Sequence, residues 1–177
     1  MRKVLIITYY WPPSGGPGVQ RWLKFAKYLP EFDVAPVVYT PSNADYPIKD
    51  YALEKEVPSG IRVVSHKIFE PYRFARIFSG NKADRIRSGI IPVKRQSVID
   101  RFLLWVRGNL FIPDARKFWV KPSVKYLKNI AEKEQFDALI TTGPPHSVHL
   151  IGLELSRSLE IPWIADFRDP WTSIGYH

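Results

Sequence analysis

The stretch KVLIITYYWPPSGGPGVQRWLKFAKYLP, Lys3 to Pro30, limits the fold more than any other part of this chain. Val4 to Thr8 is an apolar run without alternation, as expected of a strand buried on both faces in a parallel sheet. Trp11 to Gly18 is a rigid Pro/Gly loop. Val19 to Leu29 then carries an apolar side at helical spacing (Val19, Trp22, Leu23, Phe25, Ala26, Leu29), with Arg21, Lys24 and Lys27 elsewhere. Strand, loop and helix in this order predict the opening of an α/β sheet. They place the loop beyond the carboxyl end of a strand, where such sheets bind ligands. The alternative is that the glycines only turn the chain, although a plain turn does not need Ser, Gly, Gly and Pro in succession after two prolines.

The remaining chain continues the rhythm. Asp33 to Thr40 predicts the second strand, shortened to Val37 through Thr40 because Pro36 is awkward in a ladder. A polar loop follows, with a short helix near Asp50 to Glu56, and Ile61 to Ser65 is the third strand. Val120 to Lys133 is an amphipathic helix that tolerates Pro122 in its first turn and turns Val124, Leu127, Ile130 and Ala131 to the core. Phe136 to Thr142 is the fourth strand, His146 to Leu159 the next helix, and Ile161 to Asp166 the fifth strand. The expected architecture is a doubly wound five-stranded parallel sheet with helices on both faces.

Residues 69–112 interrupt this pattern. The chain carries a net charge of +9, and Pro71 to Arg107 alone holds nine basic and two acidic residues. The middle, Ser79 to Gln96, has the composition of a mobile segment, and Ser97 to Phe111 has helical spacing. The stretch 72–107 interleaves aromatics with the charges. An apolar side packed on the domain with solvated charges is the plain reading. An anionic membrane surface is the sharper one, and a nucleic-acid partner is not expected. At 177 residues the chain suits one domain with a real core. No run is long enough to span a membrane, and the absence of cysteine excludes disulfides and thiolate metal sites. The opening MRKVLII lacks a small-residue cleavage site, so a cytoplasmic location is expected, possible attachment to the membrane's inner face included.

Three stretches able to carry chemistry follow three strands: WPPSGGPG after the first, GPPHSVH after the fourth and DFRDPW after the fifth. With strands ordered 3-2-1-4-5 these ends are neighbours, so the three would line one crevice. Gly15 and Gly16 allow backbone amides close to an anion or a sugar. SGGPG is not the GxGxxG fingerprint and no Walker sequence occurs, so neither an NAD site nor another bound cofactor is expected. His146 sits at a helix start, able to bond a hydroxyl. His149 reads as an ordinary helix residue and His66 as structural. His146 and His149 lack a third ligand, so no metal is expected. Asp166, Arg168 and Asp169 at the fifth strand could orient or deprotonate a hydroxyl; the alternative is a structural Asp–Arg pair that fixes the loop.

The blocks YYWPPSGGPGVQRWLKFAKYLPE and ITTGPPHSVHLIGLELSRSLEIPWIADFRDPW resemble the amino-terminal domain of GT-B-fold glycosyltransferases, in particular the family-four-like group. The resemblance implies a Rossmann-like domain, one of a pair facing across a cleft, that receives the acceptor while its companion binds a nucleotide sugar. Gly15 and Gly16 would then approach the donor's diphosphate or the transferred sugar, and Pro144 and His146 would line the acceptor side. Where relatives often carry a histidine, this chain has Asp166, Phe167, Arg168 and Asp169, and the catalytic role is expected of Asp169, Arg168 and Asp166. The expected activity is transfer from a nucleotide sugar, a substrate and not a cofactor, to a glycan or lipid-linked acceptor, as in polysaccharide biosynthesis. The second domain is absent from residues 1–177, which implies half an enzyme that cannot turn over alone. A nucleotide-sugar epimerase half and a membrane- or polyanion-docking module are the competing readings.

Overall fold

The computed structural model describes residues 1–70 and 112–168. The basic stretch 71–111, Asp169 and the rest of the carboxyl terminus lie outside the described residues. Five strands form one parallel sheet in the order β3-β2-β1-β4-β5. They are β1 (Arg2–Thr8), β2 (Val34–Pro41), β3 (Arg62–His66), β4 (Ala138–Thr142) and β5 (Trp163–Asp166). The helices are α1 (Pro17–Tyr28), a short α2 (Ala52–Lys55), α3 (Val120–Ala131) and α4 (Val148–Leu159). This is the doubly wound, Rossmann-like arrangement expected from the sequence.

Burial explains why β1 is apolar throughout. Leu5 and Ile7 join one core with Val37, Tyr39 and Leu139, beneath Val124 and Leu127 of α3 and Ile151 and Leu155 of α4. Val4 and Ile6 join a second core with Val38, beneath Val19, Trp22, Leu23 and Ala26 of α1. Alternate residues of one strand therefore enter opposite cores, and no position is left for a polar residue. Phe25 departs from the expected apolar side of α1. It is 47% exposed, with its ring beside Trp22 and under the Arg21 guanidinium.

Pro36 lies inside β2, contrary to the shorter strand predicted. Pairing with β1 runs from Val34, whereas pairing with β3 begins only at Val37. At Pro36 the strand thus has a neighbour on one side only, and the missing N–H costs no ladder bond there. Elsewhere the element ends differ by a few residues from expectation, as frayed ends do. His66 stacks on Tyr126 at 4.7 Å.

A buried polar cluster pins the loops at the carboxyl ends of the strands. The Tyr9 hydroxyl donates to Glu70 and accepts from the Asp45 N–H at 3.1 Å. The Arg116 guanidinium lies 4.2 Å from the Tyr9 ring centroid and pairs with Glu70 at 3.5 Å. Burial, with Glu70 alongside, pushes the Tyr9 phenol far above its usual range, so it acts only as a neutral hydrogen-bonding group.

Candidate functional site

The order of the strands brings three loops to one rim. Thr8 is in register with Thr142, and Thr142 with Asp166, so β1, β4 and β5 end side by side. Each following loop then touches the next.

The β1 loop is shaped by what its glycines permit. Gly16 has φ 109°, a conformation that costs a residue with a Cβ. It precedes Pro17, a residue suited to the first helical position. Gly15 instead serves the fold: its N–H donates to the Ile48 carbonyl at 3.0 Å. Gly16 and Gly18 lie at the amino end of α1, and among the described residues neither N–H donates to a backbone acceptor outside the helix. Gly18 supplies space, for a Cβ there would fall 1.4 Å from Arg168 Nη1. The guanidinium is thereby laid against the amino end of α1, and the two positive fields add. Such a corner suits a phosphate or another anion.

Asp166 holds this corner together. Its Oδ2 accepts from Trp22 Nε1 and from Thr142 Oγ1, both at 2.9 Å, and its Oδ1 pairs with Arg21 at 3.1 Å. One carboxylate thus joins α1, β4 and β5. Trp22 and Thr142 were not singled out in the sequence, because a core tryptophan and a strand-end threonine carry no local mark of such a role.

The β4 loop is fixed from a distance. Asp114 accepts from the Ser147 N–H at 2.7 Å and from the Ser147 hydroxyl at 2.9 Å. Trp119 Nε1 donates to the same hydroxyl at 2.9 Å. A residue 33 positions upstream therefore caps α4. Pro144 and His146 lie in the segment so held. The His146 and His149 rings lie 6.0 Å apart, and Phe167 of the β5 loop stacks on both, at 6.0 Å from His146 and 4.0 Å from His149. Burial, and next the neighbouring His146, push the His149 imidazole down to about 4, while Asp166 pulls weakly the other way. His149 is therefore neutral at physiological pH. Its buried place came from tertiary packing; in the sequence it is one polar residue within a helix.

Of the expected site residues, Gly15, Gly16, Pro144, His146, Asp166 and Arg168 belong to this rim or its supports, and Asp169 lies outside the described residues. Among the described residues no group of three His, Asp or Glu side chains could hold a metal ion. Among them, too, no helix is long and apolar enough to cross a membrane.

No family model and no curated protein matches the chain. Solved structures similar to it include the C-terminal domain of a hydrogenase from Pyrococcus furiosus, 15% identical with a TM-score of 0.46, covering 94% of this chain and 91% of that one. UGT2 of Phytolacca americana, complexed with UDP-2-fluoro-glucose and pterostilbene, is 18% identical with a TM-score of 0.47, covering 93% of this chain. The chain spans only 30% of UGT2. A UGT transferase of Siraitia grosvenorii in complex with UDP is 11% identical at a TM-score of 0.43, covering 94% of this chain and 28% of that one. Likenesses this distant carry no argument, and the fold rests on the observed strand order.

Proposed function

We propose that this chain is the acceptor-side domain of a glycosyltransferase that moves a sugar from a nucleotide-sugar donor to a glycan or lipid-linked acceptor. The observation that carries the reading is the meeting of the β1, β4 and β5 loops, through Arg168 on Gly18 and Phe167 on His149. The two sequence blocks that resemble family-four-like glycosyltransferases are the blocks that build this rim.

In this reading the amides of Gly16 and Gly18, with Arg168, face the donor's diphosphate, where developing negative charge on the leaving group needs stabilising. Pro144 and His146 line the acceptor side. Asp166 acts as a positioning residue, since its carboxylate is engaged by Trp22, Thr142 and Arg21. Asp169 is the remaining candidate for a base that receives the acceptor's proton. A second domain completes the donor site, and turnover requires it.

The test is transfer of radiolabelled sugar from a set of nucleotide sugars, with and without lipid-linked and glycan acceptors. The protein carrying both domains is compared with residues 1–177. Transfer by the former alone is expected. Transfer by the isolated chain overturns the two-domain requirement, and conversion of the donor without any acceptor overturns transfer in favour of epimerisation.

A further inference from the structure

Phe69 and Phe118 are 48% and 47% exposed, and Ile112 is 64% exposed. Phe69 follows β3 and Phe118 precedes α3, so both stand at the carboxyl end of the sheet, where their rings meet edge to face at 6.0 Å. Lys117 Nζ lies 5.5 Å from the Phe118 ring centroid, and Lys67, two residues before Phe69, is exposed. The base beneath them is fixed. The Asn43 side chain holds the Ile68 N–H and carbonyl, both at 2.8 Å. Glu70 is turned inward to Tyr9 and Arg116, and Asp114 is turned to Ser147. Phe69, Ile112, Phe118 and the two lysines are left to form the outer side.

Exposed apolar side chains do not by themselves name a partner. Met1 and Phe32 are more exposed still, at the amino ends of β1 and β2, but Glu31 and Asp33 stand beside them. The Phe69 patch differs in its charge. Glu70 and Ile112 flank the stretch of sequence in which Pro71 to Arg107 holds nine basic and two acidic residues. Aromatic and aliphatic side chains among lysines and arginines match the border of a bilayer with anionic headgroups. There the rings and the isoleucine enter the interface while the cations meet phosphates. A nucleic acid would also take the charges, but it offers no hydrocarbon to Ile112.

We propose that Phe69, Ile112 and Phe118, with Lys67 and Lys117, form a docking face for an anionic phospholipid bilayer. Docking there also orients the rim. Ile112 stands two residues before Asp114, whose carboxylate caps α4 at Ser147, next to His146. The face therefore adjoins the support of the β4 loop. In the sugar-transfer reading, on which this consequence alone rests, the acceptor side then lies at the bilayer. Of a glycan and a lipid-linked acceptor, the second is the one that such docking delivers.

Vesicles of phosphatidylcholine, with and without phosphatidylglycerol, test the face on the 177-residue chain with no sugar present. Sedimentation with the phosphatidylglycerol vesicles is expected, and none with phosphatidylcholine alone. Phe69→Ser combined with Ile112→Ser is expected to weaken binding about tenfold at an unchanged melting temperature, while Phe69→Trp retains it. Undiminished binding by the double serine variant shows that the charges act alone and overturns the face. Should that variant not fold, the wild type decides, on nanodiscs of the same lipids carrying a gadolinium-chelating lipid. The amides of Phe69, Ile112 and Phe118 are expected to broaden, and those of Phe32 and Asp33, at the other end of the sheet, to stay sharp. The reverse pattern or uniform broadening overturns the proposal. Binding to a duplex oligonucleotide with indifference to the vesicles makes the partner a nucleic acid and overturns it too, as does indifference to both. No nucleotide sugar enters these measurements, so their failure leaves the transferase reading standing, and failed sugar transfer leaves the docking face standing.

Discussion

A single missing Cβ does different work at different places in this rim. At Gly18 it admits the Arg168 guanidinium, a flexible group that can move away. Gly18→Ala is therefore expected to leave folding stability within about 0.5 kcal/mol of wild type. It should also displace Arg168 and reduce affinity for a nucleotide sugar about tenfold, which is worth ~1.4 kcal/mol; calorimetric titration and thermal melting check the two together. Asp166 is the opposite case. Asp166→Ala strands the donors of Trp22 and Thr142, so a loss of about 1–3 kcal/mol in denaturant unfolding is expected. His149 gives a prediction in pH. Its folded-state value of about 4 lies below the ordinary 6.5, so between these limits the unfolded chain binds the extra proton. His149 therefore costs no stability above about pH 6.5, and its destabilising effect grows as pH falls toward about 4. Subtracting the stability profile of His149→Gln from that of wild type should show a slope of up to ~1.4 kcal/mol per pH unit in that window and none above it. Asp166 and His146 face the same ring, and the subtraction removes their common contribution.

At the scale of elements, connections between distant segments carry the rim. The Tyr9–Glu70–Arg116 cluster ties the end of β1 to the segment after β3 and to the approach to α3. Removing Arg116 leaves the buried Glu70 carboxylate bonded to the Tyr9 hydroxyl but without its countercharge, so Arg116→Ala should cost about 3–5 kcal/mol. The exposed Lys24–Glu56 pair, by contrast, should give less than about 1 kcal/mol on Lys24→Ala. Equilibrium denaturation of both variants makes the comparison. These elements also show how far local pattern reaches. The helical period of α1 and α3 and the apolar run of β1 were readable, because each reflects a burial demand repeated along the chain itself. The length of β2 was not, because Pro36 is tolerated by virtue of where β3 begins to pair. Phe25 had the right spacing for the core and lies outside it, since the width of a buried face depends on what it packs against.

For the molecule as a whole, the charge is concentrated in Pro71 to Arg107. The sharper of the two readings of this stretch, contact with an anionic lipid surface, carries a prediction of its own. Sedimentation with liposomes containing anionic lipid should carry the protein down. Neutral liposomes, or a variant with Lys94, Arg95 and Arg101 reversed to glutamate, should not; indifference to both ends the idea. The sequence alone determined the class of fold and the three loops worth watching, because strand burial and loop chemistry are written in consecutive residues. It did not determine which groups at the rim are committed to the fold. Gly15's amide is taken by Ile48, Asp166's oxygens by Trp22, Thr142 and Arg21, and Ser147 by Asp114. Only the tertiary structure decided these, since a hydrogen-bonding group is spent or spared by partners that the folded sheet, and not the order of residues, brings within hydrogen-bond distance.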